Sequence, residues 1–184
     1  MRKVGGESRK TYQEKLDNGF FQKYMSGENG LDIGYSGYEK DIVPILETAL
    51  GVDKDFPGYN GLDLPFPSNS QDYVYSSHVL EHIEDYNQTI NEWFRVLKKN
   101  GFMIIVVPHR DLYEKKSSPP SQFNGDHKRF YTPASLLNEI EDSLAPNYYR
   151  IRHLRDNDEG HDYNQPDNEH SKWLYEIELV IQKL

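Results

Sequence analysis

The run Met103-Ile104-Ile105-Val106-Val107 constrains this chain more than any other stretch. Five consecutive apolar residues, most of them β-branched, suit a strand covered on both faces, as in a parallel sheet with helices on either side. The run has companions. Short apolar segments at residues 30–34, 49–53, 72–76, 102–107 and 148–154 alternate with helical or turn segments, and residues 173–184 read as a longer last strand. Strands alternating with helices predict a single α/β domain over residues 1–184 with right-handed crossovers.

The helices announce themselves by period and cap. Tyr12, Leu16, Phe20 and Tyr24 recur every four residues, predicting an amphipathic helix over 11–25 with Gly19 as its weak point, within a helical cap at 1–28. Asp85 can cap a helix carrying Ile90, Trp93, Phe94 and Leu97, with Lys98 and Lys99 at its negative end. Thr132-Pro133 opens another, whose apolar face is Leu136, Leu137, Ile140 and Leu144. Pro44 should leave the first crossover short or irregular. Residues 155–171 are polar and aperiodic, and are expected to form a loop that is mobile without ligand.

Composition narrows the function classes. A net charge of −9 with no basic stripe argues against a nucleic-acid partner, and Arg2, Lys3, Arg9 and Lys10 read as a frayed, solvated end. The chain has no Cys, which excludes disulfides and thiolate metal sites. No apolar run approaches the roughly 20 residues of a membrane span, and no apolar segment follows the N-terminal charges, so a cytoplasmic protein away from membranes is expected.

Two features suggest a nucleotide-like ligand. Leu31-Asp32-Ile33-Gly34-Tyr35-Ser36-Gly37 carries an apolar strand into a glycine turn, where bare backbone can approach a ligand. The next strand ends at Asp53, 19 residues after Gly34, the spacing at which Rossmann-like folds set an acid against ribose hydroxyls. The segment Leu64-Pro65-Phe66, Asp72, Leu80-Glu81-His82 and Arg95-Val96-Leu97-Lys98, followed by Gly101, then completes an ordered series. In that series the chain resembles the class I S-adenosylmethionine-dependent methyltransferases over residues 31–108, with a looser likeness at Asp126-His127-Lys128-Arg129-Phe130-Tyr131-Thr132-Pro133.

The resemblance implies a Rossmann-like sheet, mostly parallel with an antiparallel last strand, S-adenosyl-L-methionine as cofactor and a small-molecule acceptor. It places Gly34, Tyr35 and Ser36 at the methionine end of the cofactor, Asp53 with Lys54 at the ribose, Asn60, Gly61 and Leu62 beside the adenine, and Ser76, Ser77 and His78 facing the sulfonium. The chain departs from the family pattern at Tyr35, at Tyr38 in place of a third glycine, and at Asn60 in place of an acid. Too few residues separate Asp53 from Asn60 for the family's usual helix and strand. The third strand should therefore be missing, leaving the Asp53 strand at the sheet edge. That open edge, with the many aromatics, makes a homodimer an expectation.

For the chemistry, a neutral imidazole can take a proton from an acceptor hydroxyl. His109, immediately after the central strand, leads the candidates for catalytic base, followed by His78 and His127. Arg110 and Arg129 could hold an anionic group on the acceptor, and O-methylation of a small polar molecule, such as a sugar or sugar derivative, is the expected reaction. The order His78-x-x-Glu81-His82 also matches an inverted zinc-peptidase pattern. It starts at a strand end, and the methyltransferase series accounts for it, so no metal is expected. Two other classes stay open. A nicotinamide-dependent oxidoreductase shares the strand, glycine turn and Asp53 but needs a third glycine opening a long helix, where this chain has Tyr38 and Pro44. A non-catalytic partner subunit would keep the fold and tolerate the altered glycine turn.

Overall fold

The computed structural model describes residues 2–184. Its elements are α1 (Ser8–Asp17), α2 (Phe20–Tyr24), β1 (Gly30–Ile33), β2 (Ala49–Val52), β3 (Gln71–Ser77), α3 (Tyr86–Val96), β4 (Leu97–Pro108), α4 (Pro133–Ser143), β5 (Tyr149–Asn157) and β6 (Glu176–Lys183). The strands form one six-stranded sheet in the order β2-β1-β3-β4-β6-β5. Neighbours from β2 to β4 are parallel, and β6 runs antiparallel to both β4 and β5. The expected architecture holds: β6 is the antiparallel strand, among the described residues no strand lies outside β2, and residues between β1 and β2 form no regular helix.

Alternation along β4 explains its unbroken apolar run. Met103, Ile105 and Val107 enter the core beneath α3 and α4, with Leu31, Val74, Trp93, Leu136 and Ile140. Ile104 and Val106 enter the opposite layer with Tyr12, Phe20, Phe21 and Tyr24 from α1 and α2. Both faces are therefore dry, as the composition of the run requires. Asp85 caps α3 by accepting from Gln88 N, and Thr132 caps α4 in a reciprocal capping box with Ser135, with Pro133 at the first helical position.

Several expectations need correction. The helix expected over 11–25 is two helices, because Gly19 adopts φ +77° and ends the hydrogen-bond ladder. Lys98 and Lys99 belong to β4, and Lys98 pairs with Asp72 at 2.6 Å. β5 continues to Asn157, so the polar connection begins later than expected; Arg155 is held there by Glu14. The connection itself is tied to its surroundings, with Lys115 Nζ donating to the carbonyls of Pro166 (3.1 Å) and Glu169 (2.9 Å) and the buried Ser171 hydroxyl donating to Leu112 O. The N-terminal segment is docked rather than frayed: Val4 is buried, Arg2 Nε donates to Pro44 O and Lys10 Nζ to the Tyr175 hydroxyl. Among the described residues no helix is long and apolar enough to cross a membrane.

Candidate active site

Strand register brings the site together. Ile33 pairs with Val52 on one side and Ser76 on the other, so Gly34, Asp53 and Ser77 leave the sheet side by side at its carboxyl end. This is the point where the strand order reverses, the usual crevice of open α/β sheets. Gly34 has φ +73°, and a Cβ on it would lie 2.2 Å from Val79 Cγ2, so the turn admits only glycine. Tyr35 turns its ring outward, against Gly37 and Gly51; a Cβ at either would meet the ring at 2.0 or 2.5 Å. Tyr35 lines the cleft, with its carbonyl beside Gly5 and its ring packed on Gly37 and Gly51.

Ser36 N donates to Asp53 Oδ2 at 3.1 Å and Lys54 N to Oδ1 at 2.8 Å, which fixes the carboxylate and leaves lone pairs on both oxygens for a ligand. Asp53 and Lys54 line a cavity of about 480 Å³ with Gly34, Ser36 and His82. A second cavity, of about 270 Å³, shares Gly34, Ser36, His78 and His82 and continues to Ser77, Glu81, His127, Tyr113 and Tyr175. The two make one cleft, with a ribose-compatible carboxylate at one end and a histidine–carboxylate cluster at the other. Gly5, Gly6, Glu7 and Ser8 of the N-terminal segment close it from above.

At the cluster end His78 adopts φ +55°, a conformation uncommon for a residue with a side chain. Its Nε2 lies 3.3 Å from Glu176 Oε1 and its Nδ1 3.7 Å from Glu81 Oε1. Burial works to lower its pKa, but the bond to Glu176 and the charges of Glu81, Glu176 and Glu7 prevail and raise it. His82 is shifted down, by burial and by neighbouring His127. His127 Nδ1 pairs with the buried Glu114, and Lys128 N donates to Glu81 O at 2.7 Å, docking the 124–128 loop on the turn that carries Glu81. Glu7 accepts from the Tyr175 hydroxyl at 2.8 Å and pairs with Lys10 at 2.7 Å.

Asp32 lies buried beneath the glycine turn and accepts from Ile45 N at 2.6 Å. Burial, reinforced by the charge of Asp53, pushes its pKa up to about 7, against the hydrogen bond from Ile45. A carboxyl whose folded pKa exceeds its unfolded value binds more protons in the native state, so stability falls as pH rises from about 4 through about 7. Asp32→Asn should remove that slope. Urea unfolding at pH 5 and 8 should show the variant gaining on the native protein by up to about 1.4 kcal/mol per pH unit within this window. An unchanging difference would show that Asp32 does not titrate there.

Not all expected site residues come together. Gly34, Ser36, Asp53, Lys54, Ser77, His78 and His127 line the cleft, and Ser76 is buried beside it with its hydroxyl unpartnered. His109 does not reach it. Its backbone is anchored between Tyr175 O and Tyr113 N, and its ring faces Asp156 (3.5 Å) in a separate cavity of about 280 Å³ with Leu112 and Tyr163. Arg110 pairs with its neighbour Asp111 at 2.7 Å, outside the cleft. Arg129 is consumed in structure: it donates to Leu80 O and Glu84 O, pairs with Glu139 and stacks over Tyr86. Asn60 closes a turn on Leu62 N and Asp63 N, and neither it, Gly61 nor Leu62 lines either cavity. Glu81, which the sequence offered only within the zinc-peptidase pattern and the methyltransferase series, joins the site, and so do Asp32, Glu114, Tyr113, Tyr175 and the Gly5–Gly6 pair, which the sequence did not single out as site residues. Of these, Glu81, the glycine pair and the acid preceding the glycine turn left a local signal.

The architecture is that of the class I S-adenosylmethionine-dependent methyltransferases. A possible histamine N-methyltransferase from Thermotoga maritima superposes with a TM-score of 0.56 at 13% identity, covering 95% of this chain and 90% of that one. The [4+2]-cyclase SpnF superposes with a TM-score of 0.59 at 12% identity, covering 92% and 81%. In sequence, residues 41–105 match the family model of the methyltransferase domain. A probable S-adenosylmethionine-dependent methyltransferase from Mycolicibacterium smegmatis is 28% identical over 144 residues, 65% of this chain and 55% of that protein. The chain thus spans about half the length of that curated relative. The likeness to the class I methyltransferases is thus one of fold over most of the chain and of sequence over residues 41–105.

Proposed function

We propose that this chain transfers a methyl group from S-adenosyl-L-methionine to a hydroxyl of a small polar acceptor, such as a sugar or sugar derivative. The observation that carries the reading is the single cleft with Asp53 at one end and the histidine–carboxylate cluster at the other. Its residues fit the cofactor. Asp53 offers free lone pairs where ribose hydroxyls would donate, Gly34 to Ser36 present bare backbone, and the buried Ser77 hydroxyl lacks a partner. When bound, the cofactor supplies an electrophilic methyl on its sulfonium. The chain's own task is to hold the acceptor in line, keep water out and receive the hydroxyl proton. Of the three histidines expected to serve as base, His78 and His127 stand at the cleft and His109 does not. The lining of imidazoles, carboxylates and tyrosine hydroxyls supports an acceptor rich in hydroxyl groups.

Calorimetry with S-adenosylhomocysteine tests the cofactor assignment. Asp53→Ala should weaken binding by about tenfold or more, the loss of a charge-assisted contact. Unchanged affinity in the folded variant would refute the assignment, and binding of NAD instead would favour an oxidoreductase. Turnover on panels of hydroxylated and amine acceptors then tests the reaction: methyl incorporation into amines alone would refute O-methylation.

A further inference from the structure

The Glu81 carboxylate is fully buried, and neither of its oxygens has a hydrogen-bond partner. An unpaired buried carboxylate is costly, so the surrounding groups ask for explanation. Three imidazole nitrogens surround Oε1: His78 Nδ1 at 3.7 Å, His82 Nε2 at 3.8 Å and His127 Nε2 at 4.0 Å. These separations are too long for hydrogen bonds. They suit donors that share an ion, since ligands each about 2.0–2.2 Å from a metal lie roughly 3–4 Å from one another. One ligand atom each from Glu81, His82 and His127 falls within 4.8 Å of the others.

The surroundings of His127 point the same way. Its Nδ1 pairs with Glu114, a carboxylate that is itself buried. A carboxylate on one ring nitrogen fixes the tautomer and leaves the other nitrogen's lone pair free, the usual support for a metal-binding histidine. Here the freed Nε2 faces Glu81. We propose that Glu81, His82 and His127 form a binding site for a divalent first-row transition ion such as zinc, with Glu114 orienting His127. Two imidazoles and one carboxylate favour such an ion over magnesium or calcium, which prefer all-oxygen sites. The arrangement differs from the zinc pattern considered in the sequence: Leu80–His82 is a 3₁₀ turn, not an α-helix, and the third ligand comes from the 124–128 loop. All three ligands line the cavity of about 270 Å³, so open coordination positions would face the acceptor. That role rests on the proposed methyl transfer; the ion site does not.

The test uses the whole chain, stripped with chelator and titrated with Co²⁺, a spectroscopic substitute for Zn²⁺. One equivalent should bind, with the visible absorption of a nitrogen- and oxygen-ligated ion, and Zn²⁺ should displace it. Glu81→Gln and His127→Gln should each weaken Co²⁺ binding by about 100-fold or more, and Glu114→Gln by roughly 10–100-fold. His161→Ala, which removes an imidazole elsewhere, should change nothing. Absence of saturable uptake, or uptake unaffected by the ligand substitutions, overturns the site. If Glu81→Gln fails to fold, His127→Gln and Glu114→Gln decide. S-adenosylhomocysteine affinity, read on the same samples, separates the two proposals. Its absence beside intact Co²⁺ binding refutes the methyltransferase reading alone, and the reverse refutes the metal site alone.

Discussion

Gly34→Ala should reduce S-adenosylhomocysteine binding by 100-fold or more, on the order of 3 kcal/mol, in protein that still folds. Two costs meet at this position. At φ +73° an L-residue is strained by about 1–2 kcal/mol, and the new methyl would sit 2.2 Å from Val79 Cγ2, inside the cleft wall. Overpacking of a well-filled site adds typically 1–3 kcal/mol, relieved only if the 34–36 turn or Val79 moves. Either movement disturbs the Ser36 N–H that holds Asp53, so both ends of the cofactor contact are lost together. Gly61→Ala is the matched control. Gly61 also has positive φ, +93°, but a Cβ there meets nothing within 4 Å. It should cost only backbone strain and leave binding unchanged. Calorimetry on both variants decides, and a loss of binding in Gly61→Ala would restore residues 60–62 to the adenine site.

The fold could be read from the sequence where burial leaves a periodic trace. Met103 to Val107 declared a strand covered twice, Asp85 and Thr132-Pro133 declared helix starts, and the short interval from Asp53 to Asn60 foretold the missing strand. The site was readable where backbone conformation or register imposes a residue, as at Gly34 and Asp53, and where the family resemblance reached, as at Ser77, His78 and His127. Contacts between distant segments have no such trace. Glu81 meets His127 and His127 meets Glu114 through a loop docked by hydrogen bonds to a distant turn, Lys128 N to Glu81 O and Arg129 to Leu80 O and Glu84 O. His109 shows the converse failure. Its place after β4 suggests the mouth of the sheet, yet side-chain direction is set by the backbone bonds on either side of it, and these turn the ring toward Asp156. Arg129 likewise carries the chemistry of an anion clamp, but nearby carbonyls and Glu139 occupy its donors.

Lys15→Met should destabilise the protein by about 3–5 kcal/mol at neutral pH, because it strips the partner from a buried charge. Glu176 and Glu178 alternate with Ile177 and Leu179 along β6, and α1 covers their face and buries both glutamates. Lys15 Nζ compensates, donating to Glu178 Oε1 at 2.8 Å and Thr11 Oγ1 at 2.6 Å, with Glu176 Oε2 4.0 Å away. Burial alone would raise the Glu178 pKa; His153, Lys15 and Arg155 outweigh it and lower it to about 2. With a folded pKa below the unfolded one, this carboxylate contributes stability that is present above about pH 4.5 and lost as pH falls through about 2. The deficit of Lys15→Met measured by urea unfolding should therefore be largest near neutrality and shrink toward pH 3. Adding Glu178→Leu should recover most of it, since removing both charges eliminates the unpaired ion. A double variant no more stable than Lys15→Met would place the cost in packing of the lysine stem instead. The pair also bears on the cleft. Glu176, two residues before Glu178 in β6, lies 4.0 Å from Lys15 and holds His78 at 3.3 Å, so losing Lys15 also alters the charge facing the mouth of the site.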